Sequence, residues 1–266
     1  MDLKHIAVVP LVDAKADEVT VVAAALQKQV PRDFAPIWDV TATVDYFPAL
    51  DVVPLGYWPV FVVEQAPAAG THIDHGGQPI AYVEYGPSWS LSASHEVLEM
   101  LADPAGTRLI AGDSPTDGER VEFLVEVCDP CQDATNAYTV NGVLVSDFYT
   151  PAYFEPSFTQ GSKYSFCGTL RKPRDVLPGG YLTWRSPTSS RWFQIDGNDN
   201  VKDLGLVAGS MGFRNAIDTA SPRRLSHLPA DHERMRAVAA RAETNRAAIE
   251  HRRNAWTKLA KSHGAR

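Results

Sequence analysis

The sequence predicts an α/β (α+β) protein with a mixed, twisted sheet, a motif-bearing helix, a β-hairpin-rich second half and a C-terminal helical tail. Three observations predict it. The first hundred residues alternate short apolar, β-rich runs with stretches of helical periodicity. After Asp103-Pro104 turn residues dominate, with Gly106, Gly112, Pro115 and Gly118 opening a region of short strands. From about Pro229 to Lys261 the chain is Arg/Ala-rich, and Met235, Ala242, Ile249 and Trp256 recur every seven residues as one narrow apolar seam.

Taken in order, His5 to Val12 is a short apolar strand, and Ala16 to Gln29 has helical periodicity that is expected to end at Pro31. Thr41 to Phe47 alternates as a strand does, and Tyr57 to Glu64 is a second β-rich run. Residues 66 to 79, rich in Ala, Gly and His, read as a loop, so His72 and His75 are expected to be solvated. Ile80 to Tyr85 is the next strand and Ser90 to Ala102 a helix. Arg120 to Cys128 reads as a strand, and Asn141-Gly142, between Ala137 to Val140 and Val143 to Phe148, is a strong hairpin signal. A second hairpin is expected around Pro178-Gly179-Gly180, with Tyr181 to Arg185 and Arg191 to Ile195 as its later strands.

Charge divides the chain. Residues 223 to 266 carry eleven Arg/Lys against four Asp/Glu, whereas residues 1 to 222 carry 14 basic and 28 acidic side chains. An acidic body is a poor partner for nucleic acid. The expected organisation is a domain over residues 1–215 and a basic helical extension over 216–266, the latter packing on the acidic body, on another subunit or on a partner. No secretory signal and no membrane-spanning run is read, which makes a cytoplasmic protein the expectation. Cys128 and Cys131 form a lone CxxC with Cys167 apart, and are expected to be reduced thiols near a turn.

The chemistry concentrates in Ser94-His95-Glu96-Val97-Leu98-Glu99-Met100-Leu101-Ala102-Asp103-Pro104. Residues four apart share a helix face, so His95 and Glu99 can hold one metal ion between them, with Glu96 beside them. In the related HExxH motif two imidazoles bind zinc and the intervening glutamate takes a proton from the attacking water. Here the second imidazole is a carboxylate. A third ligand is sought in Val125-Glu126-Val127-Cys128-Asp129-Pro130, which offers Glu126 and Asp129; the sequence does not choose, and the reading leans to Glu126. Asp103 is expected to end the helix before Pro104. Tyr149 and Tyr153 are candidates to place a phenol near a developing oxyanion, with hairpin packing as their other reading.

SHEVLEMLADP followed by EVCDPC resembles the SHExxExxxDP plus ExxDxC pattern of zincin-like proteins, among them plant phosphate-induced, Exordium-type proteins and a group of bacterial proteins. VNGVLVSDFYTPAYF and LPGGYLTW are also similar to the bacterial group, so the likeness spans roughly residues 1 to 200. It implies a metallopeptidase fold in which the last strand before the motif helix runs antiparallel along a substrate cleft. Two departures stand out: position 99 is not histidine, and Pro104 and Ala105 stand where a metzincin continues towards HxxGxxH. The expected function is zinc-dependent hydrolysis of a peptide or protein. The metal would be held by His95, Glu99 and Glu126 or Asp129, with Glu96 as base. The alternative is a non-catalytic zincin-like protein whose site is structural or empty.

Overall fold

A computed structural model describes residues 3–75, 77–207 and 213–220. The first sheet is built from β1 (Lys4–Pro10), β2 (Ala42–Tyr46), β3 (Tyr57–Val63), β4 (Gly70–His75) and β5 (Gln78–Glu84), in the order β2-β1-β3-β5-β4. β1 runs parallel to β2 and β3, and β3 parallel to β5, while β4 runs antiparallel to β5 at the edge. The sheet is therefore mixed. Ile6 to Val9 and Val60 to Val62 are buried as continuous runs, the pattern of inner strands covered on both faces. In β5 burial alternates through Pro79, Ala81 and Val83.

Between β1 and β2 lies α1 (Ala16–Gln29), and after β5 comes α3 (Trp89–Ala102). Glu18 of α1 accepts hydrogen bonds from Trp89 Nε1 at 2.8 Å and Tyr85 Oη at 3.2 Å, tying α1 to the start of α3. Deeper in, Ser94 Oγ donates to Gln29 Oε1 at 2.8 Å, Ser146 N–H donates to Ser94 Oγ at 2.9 Å, and Gln29 Nε2 donates to the Ser146 carbonyl at 3.1 Å. Buried polar groups paired in this way fix α3 against α1.

The second half is a separate antiparallel sheet of β6 (Leu109–Asp113), β7 (Arg120–Leu124), β10 (Tyr181–Arg185), β11 (Arg191–Asp196) and β12 (Val201–Leu206), with the small hairpin β8 (Tyr138–Val140) and β9 (Val143–Val145) apart from it. Asn141 (φ 52°) and Gly142 (φ 82°) form the predicted turn, since both central residues of such a turn need positive φ. α4 (Phe213–Ala220) packs on this sheet through Phe213 and Ile217 against Trp192 and Leu124.

Four expectations are corrected. The helical path does not end at Pro31: it passes through a wider turn (Val30–Phe34) into α2 (Ala35–Trp38), stopping at Asp39 (φ 55°). Pro31 lies just inside the new turn, where its missing N–H costs little, and buried Phe34 and Trp38 hold the extension. Residues 66 to 79 are not a loop, because they contain β4, which takes the edge position. The Pro178-Gly179-Gly180 turn precedes β10, whose hairpin partner β11 follows across residues 186–190. The strand beginning at Arg120 leaves the sheet after Leu124, and this departure carries Glu126 to Asp129 towards α3. The 215/216 division falls inside α4, and the heptad-patterned tail lies outside the described residues. Among those residues no helix is long and apolar enough to cross a membrane.

Candidate metal centre

Twelve of the fourteen residues of α3 are buried, His95, Glu96 and Glu99 among them, so the motif faces the interior. Three ionisable groups there require partners. His95 Nε2 lies 3.1 Å from Glu99 Oε2 one turn away. The other oxygen of Glu99 accepts a hydrogen bond from the Cys128 N–H at 3.1 Å, which fixes the carboxylate's rotation.

The segment leaving β7 completes this side. Asp129 opens a short turn (Asp129–Cys131), and its Oδ1 stands 3.4 Å from His95 Nε2. Glu126 is also buried, with neither carboxylate oxygen hydrogen-bonded, and its Oε2 lies 3.9 Å from His72 Nε2. A single cationic side chain enters from α4: Arg214 Nη1 is 2.9 Å from Glu126 Oε2, 3.2 Å from Asp129 Oδ2 and 3.4 Å from Glu99 Oε2.

The edge strand β4 supplies a residue that was expected in solvent. His72 is 0% exposed, its Nδ1 is 3.4 Å from Glu96 Oε2 and 3.9 Å from Glu99 Oε2, and neither ring nitrogen has a hydrogen-bond partner. Its neighbour Gly70 makes room for Glu96, since a Cβ there would lie 2.6 Å from Glu96 Oε1. Gly70→Ala is therefore expected to displace the Glu96 carboxyl and destabilise the fold by about 1–3 kcal/mol, the usual cost of overpacking. A urea denaturation midpoint unchanged from the parent would show that Glu96 gives way freely.

The electrostatics of the cluster follow from burial opposed by close charges. Burial alone would lower the His95 imidazole, but Glu99 and Asp129, with Glu96 behind them, outweigh it and hold its pKa well above the ordinary value. For Glu99 burial pushes upward, yet His95 and Arg214 prevail and hold the carboxyl well below the carboxylate range. Burial drives Glu126 well upward despite Arg214, reinforced by the negative charges of Glu99, Asp129 and Asp103.

The two tyrosine candidates separate. Their rings stack at 4.5 Å, but Tyr153 Oη donates to the Asp175 carbonyl at 2.9 Å and is committed to packing. Tyr149 Oη is buried without a hydrogen-bond partner, and burial first, then Tyr153 and the negative charges of Glu126, Glu99 and Asp129, push its pKa well up. Asp103 ends α3 as expected, its two oxygens accepting the Thr107 and Arg108 N–H groups at 3.0 and 2.8 Å. Cys128 and Cys131 are buried free thiols whose pKa values burial raises, whereas Cys167 is exposed; His75 is exposed as well.

Whether a metal fits can be judged from the donors. Among the described residues, the buried side-chain polar atoms lacking hydrogen bonds are His72 Nδ1 and Nε2, Glu96 Oε2, Glu126 Oε1 and Oε2, Asp129 Oδ1, Tyr149 Oη and, elsewhere, Glu155 Oε2. Such a concentration of imidazole and carboxylate atoms without hydrogen bonds suits a cation, and Arg214 Nη1 already pairs with one of them, Glu126 Oε2, at 2.9 Å. Three overlapping sets have ligand atoms within 4.8 Å of one another: His95, Glu99 and Cys128; His72, Glu96 and Glu99; and Glu99, Glu126 and Asp129. Glu99 belongs to all three. Compared with protein-family models, curated proteins and solved structures, the chain gives no match.

Proposed function

We propose that this protein is a zinc-dependent hydrolase with a zincin-like core, acting on a peptide or protein. The observation that carries the reading is the spacing around His95 Nε2, with Glu99 Oε2 at 3.1 Å and Asp129 Oδ1 at 3.4 Å. Two ligands on one tetrahedral zinc at bonds of about 2.0–2.1 Å stand roughly 3.3 Å apart. Asp129 rather than Glu126 is thus the better third ligand. The strand directly before α3, β5, runs parallel to β3 inside the sheet and not antiparallel along its edge as the resemblance implied. The antiparallel edge strand is β4, beside Glu96, and it is β4 with which an extended peptide would pair.

The residues divide the work. His95, Glu99 and Asp129 hold the ion, and the Cys128 N–H keeps Glu99 aimed. Zinc, when bound, supplies Lewis acidity towards a scissile carbonyl and makes nearby water more acidic. Glu96 takes the proton from the attacking water on Oε2, the oxygen facing His72 Nδ1. Tyr149 Oη, free of internal hydrogen bonds, is the donor available to a developing oxyanion. A one-histidine, two-carboxylate set weakens the Lewis acid, so slow turnover is expected.

Cleavage of a mixed peptide library by the zinc-loaded chain, its loss on chelation and its recovery with added zinc test this reading. Cleavage indifferent to chelation, or none from loaded protein, would refute it. A pH dependence also follows. The His95 pKa is raised in the metal-free fold, and only the neutral ring binds zinc. Zinc affinity is therefore expected to rise with pH and level off above that raised pKa. The same shift makes the proton on His95 a source of stability to the metal-free fold, present in full below the ordinary pKa of 6.5 and lost as pH rises through the folded value. Calorimetric titration in buffers of different ionisation enthalpy checks it, since zinc uptake must release protons at neutral pH.

One observation favours a second reading. Arg214 already neutralises part of the cluster, as it would in a non-catalytic protein whose acidic site is a structural ion network. In that case zinc in excess leaves the chain unloaded.

A further inference from the structure

Arg214 brings a positive charge to Glu99 Oε2, an oxygen that zinc would need, and to Oδ2 of Asp129, the carboxylate oxygen turned away from His95. One nitrogen, Nη1, reaches carboxylates of Glu99 on α3 and of Glu126 and Asp129 on the segment after β7, and the Arg214 side chain is 6% exposed. The residue arrives from far along the chain, 115 positions after Glu99. Its helix has a definite seat. The Phe213 and Arg214 N–H groups donate to the Gly106 carbonyl at 2.9 and 3.1 Å. The Phe213 ring lies 5.0 Å from Trp192 and receives the Arg185 guanidinium at 5.3 Å. Gly106, at φ 61°, permits the approach, because a Cβ there would stand 2.9 Å from Arg214 Cβ.

We propose that Arg214 is an internal plug of the metal site: docked α4 places its guanidinium on Glu99 Oε2, the oxygen zinc would take, and on Asp129 Oδ2 beside it, and zinc loads as α4 lifts away. This rests on the reading of the cluster as a metal site. A carboxylate oxygen bound to zinc at about 2.0–2.2 Å cannot also face a guanidinium without setting two cations side by side where water does not screen them. α4 is eight residues long and is held by two backbone hydrogen bonds to Gly106 and by Phe213 and Ile217 packed with Trp192 and Leu124. A short helix so held can open without unfolding the sheet beneath it. A permanent counter-ion would be held in place whether zinc is present or not.

Hydrogen exchange of the full chain with and without excess Zn²⁺ tests the plug. Zinc is expected to speed exchange of the Phe213 and Arg214 amides at least tenfold. In a competition with a fluorescent zinc chelator, Arg214→Met should bind Zn²⁺ at least tenfold more tightly than the parent. Should that variant fail to fold, Phe213→Ala, which loosens α4 and leaves all carboxylates in place, is expected to tighten zinc binding severalfold. Exchange at α4 unchanged or slowed in the zinc-bound parent overturns the plug and leaves the metal site standing. Zinc bound by neither parent nor variants overturns the metal reading, and the plug with it.

Discussion

Glu96→Gln is expected to cut peptide hydrolysis by about 10²–10⁴-fold, the usual contribution of a positioned general base, while zinc content stays at the parent's level. The substitution keeps the shape of a buried residue whose Oε1 abuts Gly70 and whose Oε2 faces His72. The amide fits but cannot accept the proton. Turnover per bound zinc, with circular dichroism to check folding, measures the effect. A variant that cleaves as fast as the parent at equal zinc content removes Glu96 from the mechanism. Loss of zinc together with activity would make Glu96 a ligand instead.

Asp129→Asn is expected to weaken zinc binding by more than about 100-fold, whereas Glu126→Gln should cost roughly tenfold, the low end of the range for outer-shell changes. The difference comes from geometry, because Asp129 Oδ1 stands 3.4 Å from His95 Nε2 and Glu126 is positioned against His72 and Arg214. Burial also holds the Glu126 carboxyl well up in pKa, so an uncharged amide resembles the state it favours when no metal is bound. Competition titration against a chelator of known affinity gives both values. The reverse order would restore Glu126 as the third ligand, the choice to which the sequence leaned.

The parts of this site that were legible in the sequence are those set by local spacing. His95 and Glu99 share a helix face by periodicity alone, and the α3 boundaries follow from an apolar run closed by Asp103-Pro104. β1 and β3 were legible for a related reason, since inner parallel strands are continuous apolar runs. Glu126 and Asp129 were both found, with the reading leaning to Glu126. The alternation that would have put them on opposite faces is broken where the chain leaves β7 and turns at Asp129, so facing depends on a turn that no periodicity predicts.

His72 was hidden by composition. Gly70-Thr71-His72-Ile73-Asp74-His75 lacks the β-branched density of a strand, and it becomes one only by pairing in register with Gln78 to Val83 across a turn at Gly77 (φ 87°). The glycine that makes this stretch look like a loop is the residue that lets Glu96 approach the strand. Arg214 was hidden by distance along the chain. Nothing local marks one arginine at the edge of a basic region as the one that turns inward, and its Gly106 seat is a long-range contact.

The central claim is that this buried cluster is a zinc site, and anomalous diffraction at the zinc edge tests it most directly. Crystals of the full chain, expressed without a histidine tag and equilibrated with excess Zn²⁺, are expected to show one strong peak about 2.0–2.2 Å from His95 Nε2, Glu99 Oε2 and an oxygen of Asp129, with Arg214 withdrawn. Fewer than about one ion per ten chains under these conditions, or a peak elsewhere with Arg214 still on Glu99, Glu126 and Asp129, would contradict it.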